Sequence, residues 1–189
     1  VALAITYKFV ILDERSVVGN QHPPQTVEAG AVLKASWKGL LNQGVIQQER
    51  ISKIIFLDLN EEKDVSMDAA INEVYHPKDK NESAAGSGDV CMWAEDIGGK
   101  YVLYIAAEGG VWAPKDSSEL FSYCENLETI EFNGAFHTEN TENMRAMFLQ
   151  CSSMTDLDVS CFDTSQVTDM SYMFADSPNL TALELSGFT

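Results

Sequence analysis

A chain that repeats one apolar phrase at a fixed offset has few ways to fold, because each copy must bury the same pattern against a neighbour. Residues 142–162, ENMRAMFLQCSSMTDLDVSCF, and residues 168–188, TDMSYMFADSPNLTALELSGF, align without a gap at an offset of 26. Met144 falls on Met170, Met147 on Met173, Phe148 on Phe174, Leu157 on Leu183 and Phe162 on Phe188. A shorter phrase occurs three times: NLETIEF (126–132), SMTDLDV (153–159) and NLTALEL (179–185). Each reads L-x-x-L-x-L with tolerated swaps, and the spacings of 27 and 26 residues lie in the leucine-rich-repeat range. Each short phrase is expected to be a strand, and the three strands to be parallel neighbours.

Between the strands, DTSQVTDMSYMF offers Thr164 or Ser165 as an N-cap, followed by Val167, Met170, Met173 and Phe174 at helical spacing. A short helix or 3₁₀ turn in each repeat is therefore expected. The fold class that follows is α/β. Residues 113–189 would form a short leucine-rich-repeat solenoid of about three repeats, parallel strands alternating with short helices. Residues 1–112 would form a small α/β N-terminal cap over the first repeat's apolar end.

Upstream, AVLKASWKGLLNQG (31–44) places Val32, Leu33, Trp37, Leu40 and Leu41 on one helical face, with Gly44 as a stop. ISKIIFLDL (51–59) reads as a buried strand. VCMWAEDIGGKYVLYIAAE (90–108) reads as two strands joined at Gly98-Gly99. The polar stretch HPKDKNESAAGSG (76–88) reads as a loop containing a weak sequon at Asn81. The chain opens without an initiator Met, as a fragment or processed form would. Residues 1–13 are either a first strand or the remnant of an anchor or signal segment, since Ala2-Leu3-Ala4 resembles a cleavage site.

Twelve Lys and Arg against 29 Asp and Glu give a net charge of −17, which repels phosphate backbones and excludes nucleic acid as a partner. The repeat region is the acidic part. Residues 113–189 hold Lys115 and Arg145 against thirteen carboxylates, a net of −11. Four cysteines without a C-x-x-C pair and three scattered histidines (His22, His76, His137) form neither a zinc nor a redox motif. DLNEEKDVSMD (58–68) lacks the glycine and ligand spacing of an EF-hand. No metal, cofactor or catalytic residue is expected, since a triad needs groups that meet in space. The paired methionines at helical spacing are expected to fill the core. Cys124 and Cys151 hold equivalent repeat positions, where either a disulfide or two buried thiols would fit.

SSELFSYCENLETIEF, ENMRAMFLQCSSMTDLDVSCFDTSQVTDMSYMF and NLTALELSGF resemble the BspA-like leucine-rich-repeat surface proteins of bacteria, over residues 117–189. SGDVCMWAED and KYVLYIAAEGGVWAPKDSSELF resemble more loosely the segment that leads into those repeats. Cys151 stands at the family's usual Cys position and Cys124 repeats it, while Ser177 replaces it in the last copy. The resemblance implies an extracellular or cell-surface bacterial protein involved in adhesion, without catalytic residues; anchoring to a membrane or cell wall, if there is any, would lie outside this chain. The chain ends at Thr189, one residue into a new phrase, as a truncated array would.

Strand alternation points Ile130/Phe132, Leu157/Val159 and Leu183/Leu185 inward, which turns Glu131, Asp158 and Glu184 outward. Stacked at about 4.8 Å, these three carboxylates would form one row, in which like charges cost about 0.2–1 kcal/mol per pair. A basic partner would relieve that cost, and a salt-screened solvated face is the plain alternative. The function expected is a non-catalytic binding or adhesion module for a protein or glycan ligand. The alternatives are a structural spacer or, with a pocket in the N-terminal region, an enzyme.

Overall fold

The computed structural model describes residues 31–33, 47–60, 70–71, 90–186 and 188. Strand β2 (Ile51–Asp58) forms where ISKIIFLD supplies β-branched and aromatic residues, and it buries Ile54 and Phe56 completely. Strands β4 (Cys91–Ile97) and β5 (Lys100–Ala107) make the expected hairpin, with Ile97 opposite Lys100. Gly98 and Gly99 both hold positive φ, as a two-residue hairpin turn of this hand requires. With β3 (Ala70–Ile71) and β7 (Thr129–Glu131) these strands form a five-stranded mixed sheet of order β3-β4-β5-β2-β7. The β2–β5 and β2–β7 pairings are parallel, the others antiparallel.

Two smaller sheets are wholly parallel. Strands β1 (Ala31–Val32), β6 (Val111–Trp112) and β8 (Phe136–His137) form one, in the order β1-β6-β8. Strands β9 (Asp156–Asp158) and β10 (Ala182–Glu184) form the other. Sheet pairing crosses the sequence boundary between residues 112 and 113 twice, at β2–β7 and β6–β8. At Gly110 the chain passes so close to β8 that a Cβ would lie 2.6 Å from His137 Nε2 and 2.9 Å from the Ala135 carbonyl. Glycine is the residue that fits there, the more so at φ +85°.

The core runs the length of the repeats as columns of phenylalanine. Phe121, Phe148 and Phe174, one from each copy, stack with centroids 5.4 and 5.6 Å apart and ring planes within 14°. Phe56 of β2 joins them through Phe121, and packs on Phe132 and Phe136 at 5.6 and 4.6 Å. Around the middle copy Met144, Met147, Cys151, Met154, Leu157 and Phe162 are all buried. Met144, Met147 and Met173 fill the core as expected, whereas Met170 and Leu185, expected inward, are 38% and 41% exposed.

The expected α/β leucine-rich-repeat solenoid with short helices behind an α/β cap is overturned. The described residues are strands and turns in small mixed sheets. They contain no α-helix, and their one helical element is the 3₁₀ turn Gln48–Arg50. The predicted helix over 31–44 begins instead as strand β1, paired parallel with β6, and residues 34–44 lie outside the described ones. The three repeat strands do not share a sheet. β7 pairs with β2, whereas β9 pairs with β10. β7 and β9 are neighbours without a ladder between them, and the segments that lead into them are joined by Ser153 N donating to Glu125 O and Thr155 N to Glu128 O, at 3.0 and 3.3 Å.

The helical spacing misleads for a physical reason. In each copy two residues adopt left-handed φ: Glu119 and Tyr123, then Ala146 and Gln150, then Tyr172 and Asp176. Left-handed residues at every fourth position end any α-helix, at about 1–2 kcal/mol each for a non-glycine. The segments become runs of turns whose N–H groups bond to the next copy. Ser117, Glu119, Phe121 and Tyr123 donate to the carbonyls of Asn143, Arg145, Met147 and Leu149, at 2.7–2.9 Å. Met144, Ala146, Phe148 and Gln150 donate to Asp169, Ser171, Met173 and Ala175, at 2.8–2.9 Å. Met147 and Met173 still face the core, because a turn that recurs every four residues carries side chains to one side much as a helix does.

Leu157 is 2% exposed in the middle of this stack, register-paired with Leu183. Leu157→Ala should cost about 2–5 kcal/mol through lost burial and a cavity. Denaturant melts measure this, and a loss under about 0.5 kcal/mol, the range of surface substitutions, would contradict the packing described.

Candidate functional site

Of the three outward carboxylates, two come together. Asp158 and Glu184 are register partners on the parallel strands β9 and β10, and both are exposed. Each is tethered at its base by a backbone amide two residues on. Asp158 Oδ1 accepts from Ser160 N and Glu184 Oε1 from Ser186 N, both at 2.9 Å. Neither has a Lys or Arg ion-pair partner among the described residues. Glu131 stands apart. It lies on β7 in the other sheet, and its Oε1 is 2.5 Å from Lys53 Nζ of β2. That pair is part exposed, so it contributes little to stability, but it removes the free negative charge expected at this position.

On its other side Glu131 continues a register row that sequence reasoning missed. Trp93 opposes Tyr104, Tyr104 opposes Ile55, and Ile55 opposes Glu131, across β4, β5, β2 and β7. Trp93 and Tyr104 stack at 5.1 Å with planes 5° apart, and Tyr104 OH donates to Glu95 Oε2 at 3.1 Å. Burial, together with the Glu95 and Glu131 carboxylates, pushes the Tyr104 hydroxyl up to about 12, so it stays protonated throughout the physiological range. The sequence marks ISKIIFLDL as a buried strand without separating its two faces. Which strands flank β2 is a tertiary choice that the local pattern does not contain.

The same tether recurs where each copy enters its run of turns. Asp116, Asn143 and Asp169 accept from the amides of Ser118, Arg145 and Ser171, at 3.1, 2.9 and 2.8 Å, and parallel bridges link the three positions. Bonds from Ser160, Ser165 and Ser171 hold the Asp158, Asp163 and Asp169 carboxyls below the usual aspartate range. Asn143 shows that a neutral amide serves the tether equally well in the middle copy. Arg145, 3.9 Å from Glu119 and over the Tyr172 ring, and Lys115, 2.8 Å from Glu142, are the cations of the stack.

The remaining candidates for chemistry are held by packing. His137 stacks on Trp112 at 4.1 Å, and its Nε2 lies 3.0 Å from the Gly109 carbonyl. His22 and His76 lie outside the described residues. Cys124 and Cys151 are buried, and the Cys151 thiol donates to the Phe121 carbonyl at 3.3 Å. Cys161 is exposed, with its thiol raised chiefly by desolvation. A shallow groove between Gln48 and Asn126 is lined by Glu49, Tyr123, Cys124 and Glu125 and holds neither a histidine nor a cation. Among the described residues no three metal-ligating side chains converge, and no helix is long and apolar enough to cross a membrane.

Residues 115–188 match a protein family described as a Mycoplasma protein of unknown function, DUF285. The match begins at the lysine that precedes the first run of turns and ends with the last copy, so it covers the stacked repeats. No curated protein and no solved structure matches the chain.

The tethered aspartates give the stack an acid limit. Because their folded-state titration is depressed, their stabilisation is fully present above the ordinary aspartate value of about 3.9 and is lost as pH falls through the lower folded value. A variant with Asp158, Asp163 and Asp169 all changed to Asn keeps the tethers but not the titration. Below about pH 4 the parent's melting midpoint should therefore fall relative to the variant's. Parallel melting curves in acid, with a constant difference between the two proteins, would contradict this.

Proposed function

We propose that the chain is a non-catalytic binding or adhesion module of a secreted or cell-surface bacterial protein, meeting a protein or glycan partner through the face of β9 and β10. The observation that carries this reading is the Asp158–Glu184 pair, two register-matched exposed carboxylates without a counter-cation among the described residues. Folding has left a like-charge pair uncompensated, and a basic partner would gain by compensating it. The resemblance of residues 117–189 to BspA-like surface proteins and the family match over 115–188 support the same direction. The in-register ladder between copies supports a second reading, a spacer that holds another domain away from the surface.

The two readings separate on one variant. Asp158→Asn with Glu184→Gln removes the charge and leaves the amide tethers. A screen of the chain against glycans and matrix proteins would identify the basic partner to use, and a screen that yields none would favour the spacer. The variant should then associate with that basic partner more slowly and with a flatter salt dependence, since the steering field is screened over about 8 Å at physiological ionic strength. Association as fast as the parent's at low salt would overturn the role of this face.

A further inference from the structure

The corner between β7 and β8 is built differently from its counterpart in the next copy. Ala135 N donates to Phe132 O at 2.7 Å, closing a turn whose central residues, Asn133 and Gly134, both hold left-handed φ, at 50° and 67°. In the middle copy Phe162 N closes the same corner on Val159 O at 3.0 Å, and neither Ser160 nor Cys161 takes a positive φ. The corner itself therefore does not require an Asn-Gly pair. What the left-handed turn adds is reach, since Asn133 Nδ2 donates to the Phe56 carbonyl of β2 at 3.2 Å. That bond leaves the pair open to attack in other respects. Asn133 and Gly134 are exposed, and a Cβ on Gly134 would meet nothing within 4 Å. The Gly134 N–H meets no acceptor among the described residues, and no other asparagine in the chain precedes a glycine.

We propose that Asn133 is a site of self-modification, at which the Gly134 amide nitrogen closes on the Asn133 side chain and converts it to aspartate and isoaspartate. The Gly134 nitrogen gives its proton to hydroxide and bonds to Asn133 Cγ. The Cγ–Nδ2 bond then breaks, and Nδ2 takes a proton from water and leaves as ammonia, which forms a five-membered succinimide. Water opens that ring at Cγ to give an aspartate side chain, or at the Asn133 carbonyl carbon to give isoaspartate, whose main chain runs through Cβ and Cγ. Water is consumed and ammonia released, with no oxidant or reductant. A side chain at position 134 would crowd the attacking nitrogen, and glycine has none. The bond to Phe56 is the restraint on the reactive amide, so closure proceeds when that bond opens. Either product changes the junction. Aspartate loses the donor that faced the Phe56 carbonyl and sets a carboxylate against it, and isoaspartate lengthens the turn by one carbon. Phe56 packs on Phe121, Phe132 and Phe136, so the contact from which the phenylalanine columns start is loosened.

The folded chain, held in mildly alkaline buffer and sampled over time, is digested and read by mass spectrometry with fragmentation that separates isoaspartate from aspartate. First-order loss of ammonia at Asn133, rising with pH and faster than at Asn126, Asn143 and Asn179, is expected. Gly134→Ala should slow it at least about tenfold, equivalent to about 1.4 kcal/mol in the barrier. The comparison among asparagines is made in the unaltered chain, so it stands whether or not alanine is tolerated at this φ. Asn133→Asp reproduces one product directly and should lower the melting midpoint at neutral pH. Ammonia loss at Asn133 no faster than at the other three asparagines, or undiminished in a folded Gly134→Ala chain, would overturn the proposal. An Asn133→Asp chain that melts with the parent at neutral pH would overturn the loosening of the Phe56 junction.

Discussion

The structure of the repeats depends on one set of backbone hydrogen bonds, in which alternate amides of each turn run donate to carbonyls of the next. Each bond contributes about 0.5–1.5 kcal/mol net, and left unmade in a buried setting it would cost more. These bonds offset the left-handed residues that a helix would have avoided. They fix the vertical spacing of the copies and so align the phenylalanine columns. The spacing also brings Leu157 opposite Leu183 and Asp158 opposite Glu184, so the buried centre and the charged rim of β9–β10 are two results of one register.

That register was legible in the sequence, and the conformation that creates it was not. The 26-residue offset identifies the equivalent residues, and Leu157, Val159, Met147 and Phe148 are buried as alternation and spacing require. The hairpin at Gly98-Gly99 was legible because two glycines between alternating strands leave few options. The helix in each repeat failed because apolar residues three and four apart fit either an α-helix or a run of turns that repeats every four residues. The preference lies in hydrogen bonds to another copy, which no local window contains. Tertiary pairing also decided the strands. β7 has β2 available as a partner and joins it, so the first repeat strand leaves the sheet of the other two.

The candidate site divides along the same line. Outward placement of Glu131, Asp158 and Glu184 follows from alternation, and Asp158 and Glu184 meet as the spacing implies. Glu131 is neutralised by Lys53, a residue 78 positions away that local spacing could not bring to it. The tethers at Asp116, Asn143 and Asp169 carry a signal that was present, an Asp or Asn two residues before an exposed amide at a constant place in each copy. They organise the entry to each turn run.

Hydrogen exchange at single amides tests the stacked-turn account most directly, because it reads the ladder bond by bond. The account predicts slow exchange at Met144, Ala146, Phe148 and Gln150, whose N–H groups are bonded to the third copy, and fast exchange at Met170, Tyr172, Phe174 and Asp176, whose N–H groups meet no acceptor among the described residues. Equal protection of the two sets, as helices closed within each copy would give, would contradict it.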